Sequence, residues 1–88
     1  MNTATIRKMV NEAAVESDEV YQIVCSAANN AGQTLVDQGR KDARFGGIGV
    51  EYSDEMLGLI EDNVVCILSD RAVAPETAMF FAERGIRA

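Results

Sequence analysis

Carboxylates and arginines are the residues best suited to chemistry in this sequence, because histidine is absent. That absence removes the commonest general base, the usual nucleophile triads and most zinc sites together. Cys25 and Cys66 lie in apolar surroundings without C-x-x-C spacing, so both read as reduced core residues, with a disulfide between their segments as the alternative. Paired carboxylates can hydrolyse a bond, but an acidic helical chain offers many Asp and Glu pairs and the pattern selects none of them. The expectation is a protein that is not an enzyme and holds no metal and no cofactor.

Two clusters remain that suit binding. In the first, Asp54, Glu55, Glu61 and Asp62 fall on one side of a helix within about 120° of arc, at about 100° per residue. Gly58 sits in the middle of that side and Glu51 extends it; no Lys or Arg interrupts the sequence between Arg44 and Arg71. A carboxylate face with a central glycine suits close approach by a basic protein surface, or imitates a nucleic-acid backbone at a protein's binding groove. The plainer alternative is a helix buried on three sides that turns its charges to water on the fourth.

The second cluster is basic: Arg40, Lys41 and Arg44 precede Gly46, Gly47 and Gly49. It suggests a phosphate loop but fails the dinucleotide pattern. A helix precedes it instead of a strand, Tyr52 stands at the third glycine position, and no Gly-Lys-Ser/Thr follows. In the plainer reading these bases occupy the last turns of a helix, stabilise its negative end, and are followed by glycine as helix ends prefer. If they hold a ligand, it is a small anion or a nucleotide gripped by oligomerised chains.

The elements that must position these clusters are helical. Ile6, Met9, Val10, Ala13, Val20, Val24, Ala27, Ala28, Ala31 and Leu35 recur at the spacing of an amphipathic helix. The stripe stays in phase from Ala4 to about Arg44, but one such helix would run about 60 Å, against a radius of gyration of about 12 Å for a packed chain of this size. Ser17, followed by Asp18 and Glu19, is the expected break, as an N-cap hydroxyl with two first-turn acids. Asn29, Asn30 and Gly32 are the next candidate.

Residues 45–53 read as the central Gly-rich loop, with a short extended stretch at Ile48 to Tyr52. Ser53 caps a third helix through Leu68, and Pro75 opens a short last helix to Arg84 with Gly85 at its end. The expected fold is all-α, a compact bundle of three to four helices in one domain over residues 1–88. Leu57, Ile60, Val64, Ile67 and Phe80 are its expected core. The narrow inner face of Ala27, Ala28 and Ala31 permits close helix approach within one chain or against a second, so a homodimer is open.

The 88 residues carry 14 acids and 8 bases, a formal charge of -6, with 48% hydrophobic residues. This is globular composition, and its sign disfavours direct nucleic-acid binding. The last helix offers Glu76, Thr77, Glu83 and Arg84 around two phenylalanines, which does not suit a DNA recognition helix either. Apolar runs such as Val64 to Leu68 are far short of the roughly 20 residues a membrane span needs. Arg7 and Lys8 are followed by Asn11, Glu12 and Glu16, not by an apolar signal core. A cytoplasmic protein without membrane contact is expected.

The expected function is occupation of a basic surface on a larger protein or complex, regulating or inhibiting it. In size and charge the chain is similar to the small acidic proteins with which phages block host defence complexes, anti-CRISPR proteins among them. An anion-sequestering oligomer and a structural subunit of a helical assembly are the alternatives.

Overall fold

The computed structural model describes residues 2–45 and 49–88. Among them the chain forms four helices and no strand: α1 Thr3–Glu16, α2 Asp18–Asp37, α3 Asp54–Asp70 and α4 Pro75–Ala82. The break between α1 and α2 falls at Ser17, whose backbone is extended at φ -164° and ψ 161°. Its Oγ accepts from the Val20 N–H at 3.2 Å. The hydroxyl satisfies one donor that a new helix end leaves open, while Asp18 and Glu19 face the positive end of the α2 dipole. Asn29, Asn30 and Gly32 stay helical.

With the break in place the Cα radius of gyration is 12.0 Å. Ile6, Met9 and Ala13 of α1 pack into the same buried cluster as Val20, Ile23 and Ala27 of α2. The most extensive helix contact is between α2 and α3. Ala27, Ala28 and Ala31 are buried on that core side of α2, and Met56, Leu57, Ile60 and Val64 are buried on α3. Short side chains on one helix let the larger ones on the other fill the space between the axes.

The end of α2 differs from expectation. The helix stops at Asp37, and Gly39 takes a left-handed conformation at φ 73°. The Arg40 N–H donates to the Leu35 carbonyl at 2.9 Å and the Gly39 N–H to the Val36 carbonyl at 2.9 Å. This is a Schellman ending, with glycine where an L side chain would be strained. Arg40, Lys41 and Arg44 therefore lie beyond the helix and not in its last turns. The connection spans 38–53, not 45–53, and longer connections of this kind are uncommon outside functional loops. Its Gly46, Gly47 and Ile48 lie outside the described residues; residues 49–52 form no strand.

The connection folds back on α2 at a glycine. A methyl group at buried Gly32 would overlap the Arg44 carbonyl oxygen and stand 3.1 Å from two carbons of the Phe45 ring. The glycine in α2 is thus a landing place for residues 44–45.

The last helix has Pro75 at its start and no side-chain cap from its own N-cap residue, Ala74. A residue of α2 supplies one: Glu19 Oε1 accepts from the Ala74 N–H at 3.0 Å. The buried Thr77 hydroxyl and the Ala74 N–H hold the Glu19 carboxyl below the usual glutamate range. At the other end Gly85, at φ 81°, allows the Ile86 N–H to reach the Phe81 carbonyl at 2.9 Å, and Ile86 is buried. Phe80 and Phe81 are both buried and meet edge to face at 5.2 Å. Leu57, Ile60, Val64 and Phe80 are core as expected; Ile67 is only half-buried against it.

Two outcomes follow from this packing. Gly32→Ala should gain about 1 kcal/mol of helix propensity and lose about 1–3 kcal/mol to overpacking. The melting temperature should fall and the amides of residues 43–45 should lose protection; an unchanged loop with an equal or higher melting temperature contradicts the landing-place role. For Glu19, whose folded pKa is lowered, the stabilisation is present above the unfolded pKa and is lost as pH falls through the lower folded value. Glu19→Gln should therefore melt lower than wild type at about pH 7 and converge with it in acid, below the usual carboxylate range. Parallel melting curves at every pH would contradict it.

Candidate functional site

The third helix starts at Ser53, whose Oγ accepts from the Met56 N–H at 3.2 Å, and Asp54 and Glu55 occupy its first turn. Its buried residues, Met56, Leu57, Ile60 and Val64, cover only about 100° of arc on a helical wheel. This corrects the expectation of burial on three sides: Leu59, Val65, Ile67 and Leu68 are half-buried, and Cys66 is exposed. Both cysteines are free, Cys25 half-buried and Cys66 at the surface, so neither belongs to the core. The physical reason is the small number of helices: α3 packs chiefly on α2 and α1, and these two cannot enclose a helix whose apolar residues spread this far around it.

The sequence-selected acids all lie on the outward side, but they divide into two groups. At the N-terminal end, both oxygens of Glu55 accept from the Arg40 Nη1 at 2.7 Å. The same guanidinium donates through Nη2 to Asp42 Oδ2 at 2.7 Å. Asp54 Oδ1 faces the Arg7 Nη2 at 3.5 Å, and Arg7 also donates to the Tyr52 carbonyl at 3.0 Å. Two arginines remote in sequence thus neutralise the first turn and hold the end of the connection. Pairs this exposed contribute about 0–1 kcal/mol each, so their effect is on charge and register more than on stability.

The second group lies outside these arginine contacts. Glu61 and Asp62 have no ion-pair partner among the described residues, and neither has exposed Glu51. Partial burial, with the adjacent Asp62 charge second, raises the Glu61 carboxyl above the usual glutamate range, against a smaller lowering by the amino-terminal charge. Beside them a side chain built at Gly58 would meet nothing within 4 Å. The fold requires glycine at 32 and has open room at 58, where glycine costs a helix about 0.5–1 kcal/mol relative to alanine.

The basic cluster is also divided. Arg40 is committed to Glu55 and Asp42, which leaves Lys41 and Arg44 exposed and without an acid partner among the described residues. The Arg44 Nη1 donates to its neighbour's Ala43 carbonyl at 2.9 Å. The three bases are therefore not gathered into one grip. Among the described residues no group of three or more carboxylates or cysteines is placed to hold a metal ion, and no helix is long and apolar enough to cross a membrane.

A depression of about 320 Å³ between α1 and the chain after α4 is lined by Thr5, Lys8, Glu12, Glu83 and Arg84. Its central cation is already engaged: Arg84 lies 3.7 Å over the Phe80 ring, donates to the Phe80 carbonyl at 2.7 Å and faces Glu12 at 3.5 Å.

Sequence reasoning placed the acids on one face but missed the arginines that cover half of them. Gly39 was a readable signal, since it stands just beyond Leu35, the last apolar residue of the α2 stripe, where a C-terminal glycine is expected. The pairing of Arg7 with Asp54 spans most of the chain and has no local signature. No protein-family model matches the chain, and comparison with characterised proteins and with solved structures gives no match either.

Proposed function

We propose that this protein is a non-catalytic regulator, of the inhibitor type, that occupies a basic surface on a larger protein or complex with the Gly58, Glu61 and Asp62 stretch of α3. The observation that carries the reading is the glycine. Gly58 sits on the outward side of a helix, costs stability, and answers no packing need among the described residues. Bare backbone there lets a partner approach the helix closely, and the Glu61 and Asp62 carboxylates, one turn along and without an ion-pair partner among the described residues, supply the charge. The arginine clasp at Asp54 and Glu55 confines the free charge to this middle stretch, which narrows the partner's basic groups to a short row. Such an interface gains specificity and association rate from its charges and its tightness from the excluded water around them.

The test is affinity capture from the native host's lysate with three forms of the tagged protein, followed by melting of each form. Gly58→Ala should melt higher, by about 0.5–1 kcal/mol of added stability, yet retain less partner. The double variant Glu61→Lys with Asp62→Lys should retain none, while wild type loses its partner in a high-salt wash. Equal capture by all three forms would remove this stretch from the interface.

A further inference from the structure

We propose that the chain also associates with a second copy of itself, the Lys41, Arg44 and Phe45 patch of one copy seating on the Glu61, Asp62 and Val65 stretch of α3 in the other. The patch is built by the return of the connection onto α2. Gly32 lets the Phe45 ring lie against the helix, and Val36 follows one turn further on; the two remain 50% and 45% exposed. Lys41 and Arg44 flank them in sequence and carry charges that no acid among the described residues answers. An aromatic ring beside two unpaired cations is the composition of an interface anchor with a charged rim.

The complementary surface is on the same molecule. Glu61 and Asp62 have no ion-pair partner among the described residues, and half-buried Val65 falls between them on the helical wheel. Within one chain the two surfaces form no ion pair with each other. Arg40 ties the connection to Glu55 in the first turn of α3, and Glu61 and Asp62 lie about 9–10 Å further along the helix. The pairing of Arg40 with Glu55 shows within one chain the contact that Lys41 and Arg44 would repeat between chains.

Exposed pairs contribute little each and are screened by salt, and at a net charge of -6 two copies repel overall. The association is therefore weak, reversible and confined to complementary faces. Reciprocal contacts give a closed dimer; contacts made one way give a chain that grows with concentration. The inference does not rest on the proposed partner, although both use the same stretch of α3 and so compete for it.

The test is sedimentation of the full chain over a concentration series at about 0.05 M and about 0.5 M salt, with two charge-reversed forms. One carries Lys41→Glu and Arg44→Glu, the other Glu61→Lys and Asp62→Lys. Wild type should rise at least about 1.5-fold above the monomer mass at the lower salt and fall back at the higher. Each reversed form alone should stay monomeric, because like charges then face each other. An equimolar mixture should associate again, since both contacts regain opposite signs, and that recovery also shows that both forms are folded.

A wild type that is monomeric throughout, reversed forms that associate as it does, or a mixture that does not recover would each overturn the proposal. Lysate capture separates the two readings: the Lys41→Glu, Arg44→Glu form should lose self-association and keep the partner.

Discussion

The close packing of α2 on α3 is the constraint on which the rest of the structure depends. An 88-residue chain encloses little apolar surface, so its core must be dense. Ala27, Ala28 and Ala31 of α2 share one buried cluster with Met56, Leu57, Ile60 and Val64 of α3, and these two helices make the most extensive contact of the fold. The α2 helix continues to Gly32, where the missing side chain admits the returning connection. One run of small residues thus sets the position of α3 and the path of residues 38–45.

Once α3 is fixed by its narrow buried arc, its remaining surface has no freedom about where it faces. Asp54, Glu55, Gly58, Glu61 and Asp62 turn outward together because Leu57, Ile60 and Val64 turn inward. The Schellman ending of α2 at Gly39 then aims Arg40 at the first turn of α3, and Arg7 arrives from α1. The result is a helix face whose charge is answered at one end and left open in the middle. The two helical glycines make the distinction concrete, since one is explained by what touches it and the other by nothing among the described residues.

Much of this was legible in the residue pattern. The break at Ser17, the cap at Ser53, Pro75 at the start of α4 and Gly85 after its end are local signals, and local hydrogen bonding realises each of them. The apolar stripe likewise gave the buried faces of α1 and α2. What failed was non-local. A periodic stripe in phase to Arg44 hid the terminator at Gly39, and apolar residues spread around α3 suggested burial that α2 and α1 cannot provide. Cys66 is misplaced for the same reason, whereas Ile67 keeps the buried side but lies past Val64, the last buried residue of α3. The acidic face was legible as geometry, but its neutralisation by Arg7 and Arg40 depends on contacts between segments 47 and 15 residues apart. The cap that Glu19 lends to α4 is equally silent in sequence, because Ala74 advertises no capping at all.

Hydrogen exchange on the native protein, resolved by residue, tests the dependence on this packing most directly. If the α2 and α3 contact is the centre of stability, the slowest amides should be those of residues 27–32 and 60–64, exchanging only through global unfolding, with α4 and the connection opening earlier. Slowest exchange in α1 or α4, with residues 27–32 opening through local fluctuations, would contradict the account.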